Sequence, residues 1–77
     1  MQLGTRWTFG ATPPERLAES VVEAIGKVEN EITTLGVDAS AWRWTVTYLE
    51  GRPICELDDG TLVEINAAGV VTITDPA

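Results

Sequence analysis

The side chains able to do chemistry in this chain are carboxylates, hydroxyls, three indoles and a single thiol; there is no histidine. That absence removes the commonest general base and the commonest metal ligand together. Cys55 falls where alternation assigns a buried position, and with no imidazole to activate it, it reads as a packed thiol rather than a nucleophile. One cysteine also excludes an intramolecular disulfide and a multi-cysteine zinc site. Ser20 and Ser40 lack a base. No glycine-rich phosphate loop, dinucleotide fingerprint or metal-ligand spacing occurs, so neither cofactor nor metal is expected. Glu56 and Glu64 are the carboxylates best placed to act as a pair. Acid–base work would need one of them shifted by burial or by a like charge, and an open sheet face provides no assurance of either. The expected class is a non-catalytic protein.

Twelve acidic against five basic residues give a net charge of −7 and a pI near 4.2. A phosphate-binding surface needs a basic face, so direct nucleic-acid binding is not expected. The apolar runs are far shorter than the ~18 residues that span a bilayer, so no membrane partner is expected either. Met1 to Trp7 lacks a basic region followed by an apolar stretch, and a cytoplasmic location is the expectation.

The elements that would position these groups are legible from periodicity. Leu17, Val21, Ala24, Ile25, Val28, Ile32 and Leu35 recur by threes and fours, the stripe of an amphipathic helix. Thr12-Pro13-Pro14-Glu15 reads as a capping box and Gly36 as a left-handed stop, with Val37 folding back onto Ile32, which predicts a helix over 13–35. From Trp42 the period changes to two. A two-residue loop within Glu50-Gly51-Arg52-Pro53 sets Trp44 and Val46 beside Cys55 and Leu57. Three-residue loops at Asp58-Asp59-Gly60 and Ala67-Ala68-Gly69 then put Val63, Ile65, Val71 and Ile73 on that same face. One choice of face satisfies three hairpins in succession, which predicts a four-stranded antiparallel meander over 42–74.

Residues 1–11 alternate more weakly, with Leu3, Trp7 and Phe9 on one side, and predict an extra strand or an arm. The expected architecture is α+β, a single domain over 1–77 with order β-α-β-β-β-β: one helix packed on the meander.

Three surfaces are candidates for binding. The outer sheet face and edge carry Arg43, Thr72 and the apolar Leu49, Ile54, Leu62 and Val70, which suggests a platform for a protein partner or a second copy. The last strand, Val70 to Thr74, carries no charge and is the preferred edge for strand addition. Glu15, Glu19 and Glu23 form an acidic ridge at i, i+4 spacing. As an alternative function, such a ridge would imitate nucleic acid and block a nucleic-acid-binding protein, as phage-type inhibitors do. Trp7, Trp42 and Trp44 are expected in the core, with Trp42 partly exposed and Trp7 near an edge.

Overall fold

The computed structural model describes residues 5–76. Its elements are β1 (Thr5–Thr8), α1 (Glu19–Thr34), β2 (Arg43–Leu49), β3 (Arg52–Leu57), β4 (Leu62–Ile65) and β5 (Val71–Thr74). The strands form one five-stranded sheet in the order β1-β2-β3-β4-β5, every pair antiparallel. This is the expected α+β fold, with the N-terminal strand joining the meander beside β2. Leu3 and Gly4, part of the predicted N-terminal alternation, lie outside the described residues.

Loop chemistry sets the register. Glu50 and Gly51 both have positive φ, 54° and 79°, as a two-residue primed turn requires. Trp44 therefore faces Leu57 and Val46 faces Cys55, while Arg52 and Pro53 belong to β3 rather than to the turn. The next two loops share one construction. The N–H groups of Gly60 and Gly69 donate to the Leu57 and Asn66 carbonyls at 2.9 and 3.0 Å, and both glycines are left-handed, at 100° and 84°. Asp59 Oδ1 accepts the Thr61 N–H at 2.8 Å and Asn66 Oδ1 accepts those of Ala68 and Val70. Cys55 then lies opposite Val63, and Val63 opposite Ile73.

The helix departs from expectation at its start. It begins at Glu19 with Ala18 as an extended N-cap that makes no side-chain capping bond, so the Thr12–Glu15 capping box does not form. The cause is local. A residue preceding proline is pushed out of the α region, and Pro14 does this to Pro13. Residues 15–17 instead make a separate turn, with the Leu17 N–H donating to the Pro14 carbonyl at 3.2 Å. Leu17 is still buried, delivered by that turn and not by the helix. The stop is as predicted. Gly36 and Val37 donate to the Thr33 and Ile32 carbonyls at 3.0 and 3.3 Å, the Schellman pattern. Leu35, expected in the buried stripe, is 77% exposed as the C-cap residue beyond the last helical turn.

The core lies between α1 and one sheet face: Val21, Ile25, Trp44, Val46, Cys55, Leu57 and Val63 are fully buried. Trp7 stacks on Trp44 with ring centroids 6.2 Å apart. Glu29 fastens this side. Its Oε2 accepts both the Trp44 Nε1–H and the Gly10 N–H at 2.9 Å, joining α1 to β2 and to the turn after β1. Closest approach of α1 is to β4 and β5. Among the described residues no helix is long and apolar enough to cross a membrane.

Candidate functional site

The sheet face away from α1 carries the outward residues of every strand, and register arranges them in rows. One row runs Arg6, Thr45, Glu56, Leu62, Thr74; the next runs Thr47, Ile54, Glu64, Thr72. At the centre, Ile54 faces Glu64 and Glu56 faces Leu62, so apolar and acidic side chains alternate like a checkerboard. Leu49 and Val70 are 60% and 56% exposed. They flank opposite strands of the sheet, with β3 and β4 between them. Arg43 is exposed beside β1, opposite Thr8, far from Thr72 on β5. Of the apolar residues singled out in the sequence, Leu49, Ile54 and Leu62 follow one another diagonally across β2, β3 and β4 on this face, while Val70 lies apart in the loop before β5.

Glu56 and Glu64 are diagonal neighbours rather than a directly opposed pair. Among the described residues no group of three or more His, Cys, Asp or Glu could hold a metal ion. Cys55 is fully buried, and burial pushes its thiol up to about 11, so it stays protonated and unreactive at neutral pH.

The β5 edge is different in kind. The Asn66 N–H donates to the Val70 carbonyl at 3.0 Å, and that bond sets the phase of the β4–β5 ladder. Bonded pairs then fall at Glu64–Thr72 and Leu62–Thr74, so the N–H and C=O groups of Val71 and Ile73 point away from β4 into the open. None of the four residues of β5 is charged. Beside the strand, Ala24 and Lys27 of α1 and Val71 and Ile73 of β5 line a shallow groove of about 290 Å³. Ile73 belongs to the helix-facing side, as predicted, but is 38% exposed because α1 does not reach past β5.

A second cleft, of about 340 Å³, opens at the C-terminal end of α1 over Val28, Ile32, Val37 and Trp42, with Glu31, Asp59 and Asp75 around it. The last helical turn has no basic residue, so the helix dipole and these carboxylates make this end strongly negative. The ridge predicted on the other part of the helix is shortened. Glu19 and Glu23 are exposed on α1, but Glu15 lies in the preceding turn and off the helical row. The groove beside β5 was missed by sequence reading because it depends on where α1 lies across the sheet; the uncharged strand was its one legible sign.

The chain matches no family model, no curated protein and no solved structure.

Proposed function

We propose that this protein is a non-catalytic interaction module that engages a protein partner, or a second copy of itself, by adding a strand to β5. The observation that carries the reading is the bare edge: outward backbone groups on Val71 and Ile73, no charge on the strand, and alongside it a shallow groove of mixed lining, with Ala24, Val71 and Ile73 beside Ser20, Glu23 and Lys27. An unpaired edge of this kind offers main-chain hydrogen bonds for affinity and side-chain pockets for selectivity.

A photo-crosslinking residue placed at Thr72 in cells making the protein should yield discrete protein adducts, while the same residue at Glu19 should not. No adduct from Thr72, or equal adducts from both positions, would refute strand addition. The alternative, an acidic decoy for a nucleic-acid-binding protein, draws on Glu19 and Glu23 and on the negative end of α1. It predicts binding that weakens steeply with salt and is lost in the Glu19→Gln/Glu23→Gln double variant.

A further inference from the structure

Resting on the strand-addition reading, we infer that the occupant of the β5 edge is β5 of a second copy, forming a two-fold dimer with one continuous ten-stranded sheet. Three features of the edge fit a copy of itself. The first is hydrogen-bond phase. Outward groups on Val71 and Ile73 pair antiparallel with the same strand when Val71 lies opposite Ile73 of the second copy, each pair exchanging both bonds. The dyad then passes through Thr72, whose side chain meets Thr72 of the second copy on the outer face, a favourable cross-strand pair.

The second feature is spacing. A dyad normal to the sheet keeps both helices on one face and runs them antiparallel. Neighbouring strands are about 4.8 Å apart, and α1 lies over β4 and β5. The two helices therefore come within roughly 10 Å of one another, the separation at which helices pack. Ile73, left 38% exposed in one chain, falls beneath that junction and is covered by it.

The third feature is charge. Glu23 and Lys27 both line the groove, and reversal across the dyad sets each Glu23 toward the Lys27 of the second copy. An isologous interface needs this self-complementarity. Repulsion between two chains of −7 opposes pairing, but exposed charges more than about 8 Å apart are screened at physiological ionic strength.

Light scattering on the purified chain at physiological salt should show a mass rising with concentration toward twice the 8.3 kDa of one chain. Thr72→Cys should oxidise to a reducible dimer at least an order of magnitude faster than Thr47→Cys, which lies on the same face in β2. Opposed residues at a non-hydrogen-bonded pair fall within disulfide reach. Ile73→Lys should restore the single-chain mass with unchanged circular dichroism. A mass of one chain at every concentration overturns the dimer, as does equal cross-linking of the two cysteine variants or a dimer that persists in folded Ile73→Lys. Strand addition itself is judged separately: adducts from Thr72 to a different protein would uphold that reading while the dimer failed.

Discussion

The two edges of this sheet are finished in different ways. At β1 the outward backbone groups belong to Arg6 and Thr8, and the Thr8 carbonyl is taken by the Ala11 N–H at 2.9 Å. Arg6 puts a charge on the strand and reaches Asp58 at 3.7 Å. Behind it Trp7 stacks on Trp44, and Glu29 ties the turn after β1 to the helix. At β5 there is no charge, among the described residues no side-chain hydrogen bond or ion pair to the strand, and an apolar residue on the core side that remains partly in water. Proteins commonly guard edges with charge, bulges or a covering segment. The contrast shows that β5 lacks such guards while β1 has them, and it marks β5 as the side where association is to be sought.

Substitutions on the two sides should separate accordingly. The largest effect is expected from Trp44→Ala, which empties the fully buried centre of the anchored side; a loss of about 3–5 kcal/mol in denaturant unfolding is expected. Glu29→Ala should follow, at about 1–3 kcal/mol, because it strands the part-buried Trp44 indole N–H and releases the exposed Gly10 N–H to water. Between the edges, Cys55 provides a pH probe. Its ordinary value of 9.0 is raised by burial to about 11 in the folded chain. The unfolded chain loses this proton first, so the thiol's contribution is intact below pH 9 and declines as pH rises to about 11. Unfolding free energies across that range, compared with a Cys55→Ala variant, would show the decline only in the parent.

Ile73→Lys should change the unfolding free energy of dilute protein by no more than about 0.5 kcal/mol while it abolishes association. A cost rivalling that of Glu29→Ala would mean that β5 is anchored and that the contrast between the edges is false. Arg6→Gln is expected to matter least, within about 0.5 kcal/mol, since both partners of its ion pair are largely exposed.

Much of this was legible in the chain itself. The period of two from Trp42 onward, with glycines at the left-handed positions of each loop, led to the observed face and register of β2 through β5. Those relations are local: loop length and alternation determine which residues oppose one another across a hairpin. The helix end was equally readable, since Gly36 and Val37 close it with their own backbone. The Thr12–Glu15 pattern does not start the helix because Pro14 holds the residue before it out of the α region, a constraint that outweighs the capping signal. Alternation places Leu49, Ile54 and Leu62 on one outer face, but their diagonal succession across three strands emerges only when the strand pairs are aligned together.

Sequence alone thus determined the elements, their apolar faces and the hairpin register, because each depends on dihedral preferences and repeats within a few residues. Which edge is guarded and which is bare was decided by tertiary structure. The pairing of β1 with β2, the reach of Glu29 to Trp44 and Gly10, and the course of α1 over β4 and β5 join segments distant in the chain. No local period encodes such contacts. They arise when one helix too narrow to cover five strands settles over part of the sheet and leaves Ile73 at its margin.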